Sequence, residues 1–496
     1  MKRIFKRITA LFMTALVLVS VGSAVAAPYK SYLYDAYGDA VYAPEAYAPE
    51  RVVYSRDIGA GELNEPTDIA RDKEGNFYIV DSLNNRIVVT DGEFRQIRVI
   101  NALDDGGRAE KMNKPRSVFV AGDGTLYVSD TGNKRVLVMD GAGHIRQIIG
   151  KPDDPIYPQD KEFSPQDLVV TSTGLLYVIS DGIYQGAVAF DKDGVFDGFY
   201  GSNTVEPTLE VILSLVWKKF ATKEQRARMQ RYVPVQFSAL CVDSEDFIYA
   251  SVASAENPAN RLKKMNPQGK NILIAPEGET LSFGDPGSYT YRGEKSATIL
   301  SALDVVDDQI ITVLDRKNKT VFQYSQEGQL VTIFGGEGNF DGMFSDPVAL
   351  CAYGEKVAVL DAQKACVTVF SITEYGRIIH EAVRIYTEGL YAESIDSWKN
   401  VLQYDSSSKV ANLGYGKALH QLGRYEEAMA CFEKANAKAA YSDAYKEYRR
   451  IQIRENFTLY TVSAAVLFLA LFIFVKGRFY RKISRRIWGR KRGGSR

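Results

Sequence analysis

The 496-residue chain is poor in the residues that usually carry metal and nucleophilic chemistry. It has three histidines, His144, His380 and His420. A zinc centre draws several ligands from His and Cys, so a histidine-built zinc site is excluded. The four cysteines, Cys241, Cys351, Cys366 and Cys431, show no C-x-x-C spacing. Three fall in apolar strand-like runs and Cys431 on a helical stretch, so buried reduced thiols are expected rather than a disulfide framework. Neither a G-x-S-x-G elbow nor a phosphate-binding P-loop is present. Both ends of the chain also lack acid: residues 1–27 and 457–496 contain no Asp or Glu.

The acid-free ends read as targeting segments. Residues 1–27 carry Lys2, Arg3, Lys6 and Arg7, then an apolar run from Ala10 to Val21. Ala24 and Ala26 fit an A-x-A site, which predicts a cleaved signal peptide cut after Ala26. Near the other end, Phe457–Val475 runs 19 residues without a charge. As a helix it spans about 28 Å, enough to cross the hydrocarbon core. Residues 476–496 follow with ten Lys/Arg, which predicts a cytoplasmic tail that binds anionic lipid headgroups. The intervening body holds 47 basic and 61 acidic residues, a formal charge of −14. Such a body is a poor partner for nucleic acid. Residues 28–50 are rich in Tyr, Ala and Pro without a clear period and read as an extended arm.

The body repeats itself. Phe77–Asp91, "FYIVDSLNNRIVVTD", returns 49 residues later as Leu126–Asp140, "LYVSDTGNKRVLVMD". Units open at Pro66, Pro115, Pro165, Pro234, Ser301 and Pro347, giving six. In the second, apolar runs at Ser117–Ala121, Thr125–Ser129, Arg135–Met139 and Ile145–Ile149 are separated by Gly and polar turns. Short runs bounded by such turns are strands of hairpins. Four antiparallel strands every 40–50 residues build the blade of a β-propeller. The last unit lacks a fourth strand, while Arg51–Ile58 precedes the first unit without a partner. The N-terminal strand is therefore expected to complete the last blade. The sequence predicts a mainly β fold: a six-bladed propeller over 51–378, a small helical domain, and one transmembrane helix.

With its upstream proline, "LYVSDTGNKRVLVMD" resembles the NHL repeat, most closely over 66–150 and least at 234–270 and 347–375. That resemblance implies a propeller; such propellers include binding modules and, more rarely, metal-dependent lyases. Within the repeat, Asp81, Asn84 and Arg86 recur as Asp130, Asn133 and Arg135, and in part as Asp315 and Asn318. Asp and Asn bond nearby backbone groups in turns. A set copied from blade to blade is placed by repeat geometry, so the triplet is expected to cap the hairpin between the second and third strands. No catalytic residue is assigned. No metal or other cofactor is assigned either, though calcium held by Asp and carbonyl groups in the central channel stays open.

A helical insertion at 206–234 breaks the period, with Thr222 and Gln225 as a capping box. Its apolar residues Ile212, Leu215 and Trp217 either pack back on the propeller or dock another membrane protein. From 379 to 456 the period turns helical. Gly389/Gly423, Tyr391/Tyr425 and Trp398/Phe432 recur at 34 residues. "GRYEEAMACFEKA" resembles the second half of a tetratricopeptide repeat, implying a spacer or a peptide-binding groove. The whole reads as a non-enzymatic, membrane-anchored, extracytoplasmic recognition or scaffold protein. Its layout resembles bacterial NHL-repeat proteins encoded beside sugar-import ABC transporters. The alternative is a calcium-dependent propeller hydrolase or lyase acting on glycans.

Overall fold

A computed structural model describes residues 27–35, 38–201, 236–253, 255, 257–275, 280–285, 298–307 and 309–491. The expected leader and the insertion residues Ile212, Leu215 and Trp217 lie outside them. Six antiparallel sheets form a ring. Blade 1 runs from Pro66 to Ile100, blade 2 from Val118 to Ile149 and blade 3 from Pro165 to Tyr200. Blade 4 runs from Ala239 to Met265 and blade 5 from Leu300 to Phe334. Blade 6 takes three strands from Pro347–Ile372 and its fourth, Tyr47–Tyr54, from the N-terminal side. Within blade 2 the strands fall at Val118–Val120, Leu126–Asp130, Arg135–Met139 and Ile145–Ile149, within a residue or two of the apolar runs.

Closure of the ring follows from strand count. The outer edge of Cys366–Ile372 needs a partner, and Tyr47–Tyr54 supplies one in antiparallel register from Cys366↔Tyr54 to Ile372↔Tyr47. The closing strand therefore begins earlier than the expected Arg51, and Ser55–Ile58 forms a helical turn instead. Gly59, at φ 92°, ends that turn in the left-handed region where glycine is unstrained. Blade 4 departs from the expected four strands: three are present among the described residues.

Five helices follow: α1 (Glu374–Thr387), α2 (Tyr391–Tyr404), α3 (Lys409–Gln421), α4 (Tyr425–Lys434) and α5 (Lys438–Glu455). The 34-residue echo has a packing cause. Trp398 lies against Gly414, and Phe432 against Gly416, where a Cβ would collide with each ring. Small residues on α3 thus let α2 and α4 approach it closely.

The helices do not stand off as a free stalk. Ile379, Ala382 and Val383 of α1 share one buried apolar core with Tyr47, Phe334 and Phe370 of the propeller. Tyr47 stacks on Phe334 at 4.6 Å between centroids. Burying each such side chain stabilises by about 2 kcal/mol. The first turn of α1 is held by Thr373, whose side chain accepts from the Gly376 N–H and whose own N–H donates to the Ala46 carbonyl. Beyond α5, α6 (Phe457–Lys491) carries an apolar stretch from Phe457 to Arg481 with mean hydropathy 2.4. Phe468, Phe472 and Ile473 on it are exposed, as on a helix that meets lipid on every side.

Candidate functional site: the propeller channel and its rim

The first strand of each blade lines a central channel of about 1450 Å³. Pro66, Pro165 and Pro347 stand at the first residue of their strands, a place where a missing N–H breaks no ladder. Asp68, Asp167 and Asp304 are among the aspartates that line the channel wall. Each reaches across a blade boundary. Asp68 accepts from the Ile69 N–H at 2.8 Å and from the Val118 N–H of blade 2 at 2.9 Å. Asp167 accepts from the Leu168 N–H at 2.9 Å and from the Leu240 N–H of blade 4 at 2.8 Å. Asp304 accepts from the Val305 N–H at 2.9 Å and from the Ala352 N–H of blade 6 at 2.8 Å. The Ser117 hydroxyl joins blades 2 and 3 by donating to Asp167 at 2.7 Å, and the Ser238 hydroxyl joins blades 4 and 5 by donating to the Leu300 carbonyl at 2.6 Å.

Among the described residues no cation pairs with these carboxylates, and burial governs them. Burial, reinforced by the neighbouring Asp167, pushes Asp68 up to about 7; the same burial raises Asp167. Burial likewise raises Asp304 to about 6. Burial and the neighbouring negative charge thus both favour the protonated form of Asp68. Cys241 and Cys351 line the same wall, and burial together with Asp304 holds both thiols well above the usual range. All four cysteines are unbridged. No group of three or more His, Cys, Asp or Glu among the described residues is arranged to hold a metal ion. The aspartate oxygens already accept from backbone N–H groups, so this set does not fit a calcium site, which takes six to eight oxygen ligands.

The rim is charged differently. Arg116 of blade 2 and Arg316, just after the second strand of blade 5, enter it from opposite sides of the six-membered ring. Arg316 is held by Asp346 in a two-point contact, 2.7 Å from each oxygen. Arg116 has no carboxylate within ion-pair distance among the described residues; burial and the facing Arg316 lower its pKa, while Asp181 and Glu65 oppose that from farther off. The channel therefore offers a guanidinium together with carboxyls whose protonated form burial favours.

The hairpin triplets lie away from this channel. Asp81 is fully buried and accepts from Asn84 at 2.8 Å, from Arg86 Nε at 2.6 Å and from the Asn64 N–H at 2.7 Å. Asp130 repeats the pattern with Asn133 at 2.9 Å, Arg135 Nε at 2.8 Å and the Asn113 N–H at 2.7 Å. Asp315 accepts from the Asn318 side chain at 2.7 Å and from the Ile299 N–H at 3.1 Å. The arginines also donate to the segment that precedes their own blade, to the Glu62 and Lys111 carbonyls, and Arg135 meets Glu110 at 3.3 Å. Of the three histidines, His144 is exposed beside Asp140, and His380 meets Gln323 at 2.9 Å where α1 meets blade 5. His420 contacts Tyr425 between α3 and α4.

Sequence reasoning missed the channel set. A signal for two members was there: Pro66-Thr67-Asp68 and Pro165-Gln166-Asp167 place Asp at the same offset from the opening proline. Asp304 gives no such signal, because it sits two positions farther along its strand.

A tetratricopeptide repeat family model matches residues 386–448. None of the curated proteins matches the chain. Among solved structures, an auxiliary nutrient binding protein from Bacteroides thetaiotaomicron is similar at 11% identity, covering 70% of this chain and 76% of that one, with TM-score 0.41. A virginiamycin B lyase from Staphylococcus aureus is similar at 10% identity, covering 65% of this chain and 99% of that one, with TM-score 0.38. The chain is a six-bladed propeller joined to tetratricopeptide-like helices and one apolar C-terminal helix.

Proposed function

We propose that this is a non-enzymatic, single-pass recognition and scaffold protein of the membrane. The body stands outside the cytoplasm and the basic tail inside. The observation that carries the reading is the shared core of α1 and blades 5 and 6, which makes the propeller and the helical repeats one rigid body set directly before an apolar helix. Such a body presents two recognition surfaces at a fixed angle to the bilayer: the channel rim around Arg116, and the helical repeats. The apolar insertion residues Ile212, Leu215 and Trp217 are proposed to dock a second membrane protein. A protease added outside intact cells should remove the body and spare the tail. Capture of the full chain in mild detergent should recover a membrane partner, and Trp217→Ala should weaken that capture. A protected body, or capture that recovers none, overturns the reading.

One observation favours a second reading. Asp68 lines the channel and burial there pushes it up to about 7, the range in which a general acid works. A propeller hydrolase or lyase acting on glycans would use the Asp68 proton. Glycan cleavage by the purified chain, lost in Asp68→Asn, would replace the first reading with this one.

A further inference from the structure

The chain's first described residues are seated rather than trailing. Ala27 packs against the core shared by blades 5 and 6 and α1. A Cβ placed on Gly342 would meet Pro28 at 3.1 Å, so Pro28 lies close against that turn. The Tyr29 hydroxyl donates to the Tyr47 carbonyl at 2.6 Å, and its ring lies 6.3 Å from that of Phe370. Three successive residues thus fill places on the joint between the propeller and the helices.

Beside them stands an uncompensated carboxylate. Glu45 is half-buried, and its Oε2 accepts from the Ala27 backbone N–H at 3.4 Å. No Lys, Arg or His among the described residues pairs with it. Its charge is felt locally: together with burial it pushes the Tyr29 phenol up. Residue 45 is also fixed from behind, since Thr373 at the head of α1 donates its hydroxyl to the Glu45 carbonyl at 2.5 Å. A half-buried acid lacking a cation, aimed at one backbone nitrogen, is a poor arrangement for an amide and a good one for an ammonium. The A-x-A pattern at Ala24 and Ala26 points to the same nitrogen.

We infer that Glu45 is the seat of the mature N-terminus: cleavage between Ala26 and Ala27 leaves an α-ammonium on Ala27 that pairs with Glu45 at the propeller–helix joint. The reaction is amide hydrolysis by a leader-removing peptidase. One water is consumed, the C–N bond breaks, and the products are the Ala26 carboxylate and the Ala27 ammonium, the acid's proton passing to the amine. Processing then completes the joint as well as releasing the body. This inference rests on the export that the proposed function requires.

The test uses the full chain, exported in cells and purified in mild detergent. Intact mass and N-terminal sequencing should start at Ala27. Acetylation of the α-amine, followed by mass spectrometry against pH, should show it titrating above the ~8 of a free terminus. In Glu45→Gln the midpoint should fall back to about 8. A mature chain starting elsewhere, or retaining its leader, overturns the inference, as does a midpoint that Glu45→Gln leaves unmoved. Protease access from outside separates the two readings. A retained leader with an accessible body defeats only the seat, whereas a protected body defeats the proposed topology.

Discussion

Bonds made inside a repeat differ in kind from bonds made between repeats. Inside blades 1 and 2, Asp81 and Asp130 are wholly buried, and each meets an arginine and an asparagine of its own hairpin. Across blade boundaries, Asp68, Asp167 and Asp304 meet only N–H and hydroxyl dipoles, and burial raises all three. Between propeller and helices, the buried contact is apolar packing and the pair of His380 and Gln323, with the ion pairs Arg377–Glu355 and Lys417–Glu327 at its partly exposed edge. Charge is compensated where the repeat copies both partners together. Where two units meet, partners come from different places in the chain: ion pairs such as Arg316 with Asp346 sit in exposed positions, while the buried carboxyls there meet no cation among the described residues.

The largest effect is expected inside the repeat. Asp81→Ala leaves Arg86, Asn84 and the Asn64 N–H without their acceptor. Breaking a buried pair by removing one partner costs about 3 kcal/mol or more. Chemical denaturation of the full chain in detergent should show that loss, and a similar one for Asp130→Ala. A loss under about 1 kcal/mol would mean that water replaces the carboxylate, and the contrast with the channel would collapse.

Next comes a steric probe of the joint. Gly376, in the first turn of α1, faces the Ala46 carbonyl, and a Cβ there would stand 2.1 Å from that oxygen and 2.6 Å from Ile372 Cγ1. Neither is the loose end of a flexible side chain. Gly376→Ala should destabilise by about 2 kcal/mol, although alanine is the better helix former. Hydrogen exchange should localise the damage to α1 and the Tyr47–Tyr54 strand. A stabilised variant would show that the helices sit away from the arm.

The channel carboxyls should reveal themselves through pH. Asp68 rises from an ordinary 3.8 to about 7 in the fold. Between those values the folded Asp68 carboxyl holds a proton that the unfolded chain has released, so stability is greatest at the acid end and falls as pH rises. His380 acts with the opposite sign. Burial lowers it from 6.5 to about 4, so its neutral form stabilises at high pH and that contribution is lost as pH falls through this window. The two slopes oppose each other below about pH 6.5. His380→Gln should steepen the fall of stability with rising pH, and Asp68→Asn should flatten it. Unfolding midpoints from pH 4.5 to 8 measure both; a wild-type slope that survives Asp68→Asn unchanged would reject the raised Asp68.

How far the sequence disclosed these contacts follows the same division. The ring of blades, the second-blade strands and the tetratricopeptide echo were legible, because each is written more than once at a fixed period. Closure by the N-terminal strand was legible by counting, though Tyr47–Tyr54 begins four residues ahead of the reading at Arg51. The channel set was not legible. Whether Asp68 meets Val118 depends on how blade 1 leans on blade 2, which no period encodes. The joint was hidden for a related reason: Gly376 looks like a poor helix residue until the Ala46 carbonyl is placed beside it. Glu45 was one acid in a low-complexity arm until the Ala27 nitrogen was found at its side.

The smallest effect tests whether charge matters at the joint at all. Lys417 of α3 reaches Glu327, in the turn before the last strand of blade 5, at 2.5 Å. The Glu327 side chain is 49% exposed, so water and salt screen the pair. Pairs of this kind contribute about 0.2–1 kcal/mol. Lys417→Met keeps most of the apolar stem and removes only the ammonium, so it should cost no more than about 0.5 kcal/mol, and less at high salt. A cost of 2 kcal/mol, on the order of that expected for Gly376→Ala, would reverse the assignment. The joint would then be held chiefly by an ion pair spanning two units rather than by its apolar core.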